Sequence, residues 1–173
     1  GPDRTWTPLK RLYVQAIALA TKRVWITSPY FIPDAVMEEA LITASIRGVD
    51  VRLLLPKKSD HPIVDLASRS HYGRLLESNV SIHEYQRGFV HAKTMVVDEW
   101  VAAVGSANMD IRSFHLNFEA NALVYDSAFT SRLADVFISD LEDSSKVTLQ
   151  EQETLGYWKT LGRGFARLLS PLL

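Results

Sequence analysis

Residues 91–108 read HAKTMVVDEWVAAVGSAN, and this stretch sets both the sheet and the chemistry around it. Its fixed points are His91, Lys93, Asp98, Gly105, Ser106 and Asn108, spaced as His-x-Lys-x4-Asp-x6-Gly-Ser-x-Asn. VHAKTMVVD alternates, which predicts a strand carrying His91, Lys93 and Met95 on one face and Ala92, Thr94 and Val96 on the other. WVAAVGSAN follows with no room for a helix between, so a second strand lies beside the first and brings Ser106 and Asn108 to its mouth. Gly105 has no Cβ, and backbone amides there can approach a ligand closely, which makes it a candidate substrate-binding position. NFEANALVYD at 117–126 supplies Glu119 on another strand-like run, where its carboxylate can accept the second ring N–H of His91 and fix the tautomer.

An imidazole, an ammonium, a hydroxyl and a carboxamide gathered on neighbouring strands suit a phosphodiester under nucleophilic attack. Neutral His91 attacks phosphorus. Lys93, Ser106 and Asn108 hold the non-bridging oxygens as their charge is redistributed. The chemistry requires no metal and no cofactor. A lone His-x-Lys in a strand is ordinarily a surface pair, and it is agreement at all six positions that favours the catalytic reading. His61, His71, His83 and His115 read as surface or supporting residues. His61 and Arg69, within SDHPIVDLASRS, border a candidate headgroup site, and Arg112 is either an ion-pair partner or a phosphate contact.

Working outward, Thr7 to Thr21 has helical apolar spacing with Pro8 near its start, and RVWITSPYF follows as a strand closed by Pro29 and Pro33. Asp34 caps a helix AVMEEALITASIR that Gly48 ends before the strand VDVRLLLP. A helix through IVDLASRSHYGRLLES and a strand VSIHEYQ complete a βαβαβ run. The expected fold class is α/β, a central mixed β-sheet flanked by helices on both faces, with the catalytic strands in its middle.

Composition agrees. The 173 residues, 47% of them apolar, suit one domain with a buried core. A net charge of −1 gives no polyanion-binding signal, so nucleic acid is not an expected partner. The absence of cysteine removes disulfides and thiolate metal sites. No apolar run approaches a membrane span and no signal peptide is evident, so the chain as given reads as soluble or peripheral. Gly1-Pro2 reads as a tag scar, leaving 3–173 as the domain. Within 151–173, Trp158, Leu161, Phe165, Leu168 and Leu172 form a helical stripe flanked by Lys159, Arg163 and Arg167. That stripe packs on the domain or lies on an anionic membrane surface.

The motif resembles the signature of the phospholipase D superfamily. TSPYFIPD at 27–34, SDHPIVDLASRSHYGRLLESNVSIHEY at 59–85 and NMDIRSFHLNFEANALVYD at 108–126 look like the C-terminal half of a bacterial cardiolipin synthase. The resemblance implies a phospholipase D-like α-β-α sandwich in which His91 carries a phosphatidyl group, Lys93, Ser106 and Asn108 cradle the phosphate, and Glu119 orients the histidine. It gives Asp98 an architectural role, last in the catalytic set. It also implies a partner. Expulsion of an alkoxide needs a general acid, which the family takes from a second motif, so the N-terminal half or a second copy must complete this site. The implied reaction makes cardiolipin from two phosphatidylglycerol molecules with release of glycerol, at a bacterial cell membrane in the full-length protein. A phosphodiester hydrolase working as a homodimer and a non-catalytic lipid-binding module are the alternatives.

Overall fold

Pro8 sets the start of α1 (Pro8–Leu19), because its fixed φ suits a first turn where an N–H has no partner. The computed structural model describes residues 7–153. Gly1-Pro2 and the stripe from Trp158 to Leu172 lie outside the described residues.

β1 (Arg23–Thr27) lies parallel to β3 (Asp50–Pro56), which lies parallel to β4 (Ser81–Tyr85). Right beside β1, β5 (Thr94–Val97) runs antiparallel, and β6 (Val101–Gly105) and β8 (Asn121–Val124) extend that side. With β9 (Ser144–Lys146) on the far edge, the described sheet has seven strands in the order β8-β6-β5-β1-β3-β4-β9. A small parallel ladder of β2 (Phe31–Ile32) and β7 (Met109–Asp110) stands apart. The sheet is mixed, as expected, but the catalytic strands are not in its middle: β1 is central, β5 and β6 lie to one side of it, and β8 is the edge.

Period-two alternation divides the core. Val24, Ile26, Val51, Leu53, Met95 and Val97 face Tyr13 and Ile17 of α1 and Met37 and Leu41 of α2 (Ala35–Ile46). Trp25, Leu54 and Val96 face the other way onto Ala134 and Phe137 of α6 (Ser127–Glu142), with Trp25 and Phe137 stacked at 5.3 Å. Asp34 caps α2 by accepting the Met37 N–H at 2.9 Å, and Gly48, at φ +91°, takes the left-handed turn after it. The sequence reading did not mark α6, although Asp126 accepts the Phe129 N–H at 2.7 Å at its start. Among the described residues no helix is long and apolar enough to cross a membrane.

Three further expectations are corrected. The helix through 63–78 is two, α3 (Pro62–Arg69) and α4 (Tyr72–Glu77), broken at Ser70-His71. His71 is not a surface residue. It is 3% exposed, its Nδ1 3.1 Å from the buried Glu38 carboxylate. Finally, β5 begins at Thr94, so His91 and Lys93 precede it. Its partners stop there, Thr27 and Val104 both facing Thr94, and one further bond from the Gly105 N–H to the Lys93 carbonyl (3.2 Å) holds the extended approach.

Direction does the positioning. The parallel strands β1, β3 and β4 end at the edge where β5 begins, β6 ends and β8 begins. Everything after Thr27, Pro56, Tyr85 and Gly105, and everything just before Thr94 and Asn121, therefore collects at one rim, the usual ligand-binding edge of such sheets.

Candidate active site

His91 and Lys93 meet at that rim. Lys93 Nζ lies 3.0 Å from His91 Nε2 and 2.8 Å from the His91 carbonyl oxygen. An ammonium only donates, so Nε2 presents its lone pair and the neutral ring carries its proton on Nδ1. The ammonium thus covers the Nε2 lone pair, and an anion that drew Lys93 onto itself would uncover it. Burial lowers the Lys93 pKa, opposed by the charges of Glu119 and Asp110. Phe89 packs on the imidazole with ring centroids 5.7 Å apart.

Ser106 and Glu119 are joined differently from expectation. The Ser106 hydroxyl donates to Glu119 Oε2 in a very short contact, and Ser106 Oγ accepts the Ala120 N–H at 3.0 Å. Glu119 Oε1 accepts from Asn117 Nδ2 at 3.2 Å. Glu119 therefore orients Ser106, and His91 Nδ1 has no hydrogen-bond partner among the described residues. The cause is register: Gly105 pairs with Asn121, so Ser106 bonds the Ala120 backbone, and Glu119, one residue before, comes within reach of the Ser106 hydroxyl.

Asn108 lines a cavity of about 220 Å³ with Tyr30, His61, Asp110, Arg112 and Asn117. Its Oδ1 is buried without a hydrogen-bond partner among the described residues, an acceptor left open at the cavity. Asp110 caps α5 (Ile111–His115) by accepting the Ser113 N–H at 2.6 Å, and burial pushes its carboxyl above the usual range. The Tyr30 phenol, pushed up to about 12 by burial and then by Asp60, stays a donor and bonds the Asp60 carboxylate at 2.8 Å. His61 sits here, as expected of a residue bordering the site, with its ring 6.2 Å from Tyr30. Arg112 is exposed and has no ion-pair partner among the described residues, so it can reach a phosphate. Arg69 does not reach the site, because its guanidinium holds Asp65 (3.0 Å), Glu84 (2.6 Å) and the Lys57 carbonyl oxygen (2.8 Å).

Asp98 and Gly105 are not ligand groups. Asp98 follows β5 at the end opposite His91, and its carboxylate accepts the backbone N–H groups of Thr21, Lys22 and Arg23 at 3.0, 2.7 and 3.0 Å. Gly105 is needed for close approach, but to chain and not to ligand: a Cβ there would collide with the Ala120 carbonyl oxygen and the Asn121 side chain. Gly105→Ala is expected to lower stability by about 1–3 kcal/mol through that overlap, as a reduced denaturation midpoint with unchanged slope. A midpoint equal to wild type contradicts the steric argument.

The comparisons with known proteins agree with this geometry. The family model described as "Cardiolipin synthase, PLD-like domain" matches residues 13–141. Cardiolipin synthase 2 of Bacillus anthracis is 46% identical over all 173 residues, which cover 34% of that relative. The cardiolipin synthase of Geobacillus thermodenitrificans is 44% identical with the same coverage of 34%. The chain thus spans about a third of the length of the curated relatives it matches. Among solved structures, a phosphatidylserine synthase from Haemophilus influenzae matches 95% of this chain and 45% of its own at TM-score 0.75 and 16% identity. The phospholipase D family member Nuc from Salmonella typhimurium matches 80% of this chain and 90% of its own at TM-score 0.70 and 17% identity. At such identities the last two show the fold alone.

Proposed function

We propose that this chain, which belongs to the phospholipase D-like domain family of cardiolipin synthases, is one half of a phosphatidyltransferase that joins two phosphatidylglycerol molecules with release of glycerol. The observation that carries this reading is the Lys93 ammonium held 3.0 Å from His91 Nε2 at the rim where Asn108 and Arg112 converge. A nucleophile and phosphate-binding cations share that rim.

The reaction is a double displacement at phosphorus. Nε2 of His91, or of the equivalent histidine in the complementary half, attacks the first phosphodiester. A P–N bond forms, the P–O bond to glycerol breaks, and the other histidine protonates the departing alkoxide. The hydroxyl oxygen of the second phosphatidylglycerol then attacks phosphorus, its proton passes to that histidine, and the P–N bond breaks. Lys93, Asn108 and Arg112 bind the non-bridging oxygens. Ser106 joins them when its hydroxyl turns from Glu119. No cofactor or metal takes part in this scheme.

His71 is buried against Glu38, His83 and His115 lie on other elements, and His61, though it lines the cavity with Asn108, lacks the paired lysine that marks the motif histidine. The second histidine therefore comes from the missing half or from a second copy across a twofold axis. The work is done at a bacterial cell membrane, reached by the longer protein. Phosphodiester hydrolysis by a homodimer is the second reading, favoured by the exposure of His91 to water.

Product analysis separates them. The complete two-motif enzyme, given phosphatidylglycerol vesicles, is expected to yield cardiolipin and glycerol in equal amounts. Phosphatidic acid as the main product, with or without added alcohol, establishes the hydrolase instead.

A further inference from the structure

A cavity of about 540 Å³, with Phe89 in its lining, opens between the segments that follow β3 and β4. This volume lies within the range of small-ligand sites. Lys57, Lys58, Asp60, Gln86 and Phe89 line it. Lys57 Nζ donates to the neutral Gln86 Oε1 at 2.7 Å, and Lys58 has no hydrogen-bond or ion-pair partner among the described residues. The nearby carboxylates are occupied: Glu84 by Arg69 at 2.6 Å, and Asp60 by the Tyr30 hydroxyl at 2.8 Å. The cavity therefore presents two ammonium groups, neither paired with an anion among the described residues, against one carboxylate, Asp60, whose charge the neutral Tyr30 hydroxyl leaves in place. Its walls are fixed, since Gln86 Nε2 also bonds Ser145 Oγ (2.6 Å) and the Glu84 carbonyl oxygen (2.7 Å), and Arg69 anchors the Lys57 carbonyl oxygen (2.8 Å).

One wall of this cavity is the ring that packs on the nucleophile. Phe89 lies 5.7 Å from His91 and 6.0 Å from Tyr30, centroid to centroid. Phe89 thus borders both the lysine-lined cavity and His91, so a phosphate held by Lys57 and Lys58 lies next to the ring that packs on the imidazole. The two phosphates of a phosphatidyl donor and a phosphatidylglycerol acceptor are joined in the product by a short three-carbon bridge, so the acceptor's phosphate must be bound close to His91. We propose that the Lys57–Lys58 cavity is the acceptor subsite, which binds the phosphodiester of the second anionic lipid while its terminal hydroxyl reaches the phosphatidyl-histidine. This rests on the phosphatidyltransfer reading above. A neutral alcohol, glycerol or water, makes no use of the lysines, so the cavity selects an anionic acceptor over both.

Two reactions of the complete enzyme isolate this subsite. Exchange of labelled glycerol into phosphatidylglycerol needs the donor site and a neutral acceptor, whereas cardiolipin formation needs a charged acceptor. In the Lys57→Gln/Lys58→Gln variant, cardiolipin formation is expected to fall about 10-fold further than exchange, as loss of charge-assisted contacts at a partly exposed site implies. The acceptor KM rises, and Lys57→Arg/Lys58→Arg restores most of the ratio. Equal loss in both reactions assigns the lysines to the donor site or to general membrane attraction and overturns the proposal. An unchanged ratio overturns it as well. Millimolar inorganic phosphate distinguishes a free-anion site: inhibition of exchange in the wild type that is lost in the glutamine variant overturns the lipid assignment. Absence of both products in the wild type defeats the phosphatidyltransfer reading itself and is distinct from a change of ratio.

Discussion

His91→Ala in the complete enzyme is expected to abolish cardiolipin formation, by about 10⁴-fold or more, the scale on which nucleophiles and their proton partners are lost. Lys93→Ala is expected to cost roughly 10²–10³-fold, the scale of a single donor aimed at developing charge. Their order follows from geometry. In the proposed mechanism His91 supplies an atom that bonds to phosphorus or moves the essential proton, whereas Lys93 positions and neutralises. Lys93→Ala also removes the ammonium that holds the Nε2 lone pair at 3.0 Å, which leaves the imidazole free to turn on Phe89. Because His91 is exposed and Lys93 half-buried, neither change disturbs packing, and melting temperatures are expected to stay within a degree or two of wild type. Steady-state rates on mixed vesicles, taken with melting curves, test this. Near-normal cardiolipin formation by either variant rules out the assignment.

Asp98→Ala is expected to cost this domain about 2–4 kcal/mol, because it leaves the N–H groups of Thr21, Lys22 and Arg23 without their acceptor. Asp98 is 4% exposed and sits at φ +50°, a left-handed conformation that asparagine tolerates. Asp98→Asn therefore tests the charge with little backbone strain. Burial raises the carboxyl pKa, but the backbone donors of Arg23, Lys22 and Thr21 outweigh it and hold the pKa below the ordinary 3.8. A carboxylate depressed on folding contributes stability that is fully present above the unfolded value and disappears as pH falls through the folded one. The gap between wild type and Asp98→Asn should thus be full at pH 7 and shrink below about pH 4. Urea denaturation at both pH values measures it. A gap that persists undiminished in acid shows that Asp98 acts through its shape alone.

The pairing of His91 with Lys93 was legible because an i, i+2 relation survives in any extended segment, whether or not the strand ladder reaches it. The start of β5 at Thr94 was not legible, since it depends on where β1 and β6 stop pairing. Glu119 shows the same limit more sharply. Its residue type and its proximity to the motif are readable, but whether it meets His91 or Ser106 is decided by the β6–β8 register, which no local pattern contains. Gly105 was singled out for the right property and given the wrong neighbour: the absent Cβ makes room for Ala120 and Asn121. α6 had a readable Asp cap and an apolar spacing at Ala134 and Phe137. The Lys57–Lys58 cavity had no sequence signal, because two parallel strands distant in the chain must end at the same level before Lys57 and Gln86 meet.

In the proposed reaction phosphatidyl transfer passes through a histidine of this site or its complement. Rapid acid-free quenching of the complete enzyme with phosphatidylglycerol, followed by peptide mass spectrometry at alkaline pH, tests it most directly. An acid-labile phosphatidyl adduct is expected on His91 or on the matching histidine of the complementary half, forming before cardiolipin and disappearing as cardiolipin accumulates. Cardiolipin accumulating with neither histidine ever modified contradicts it.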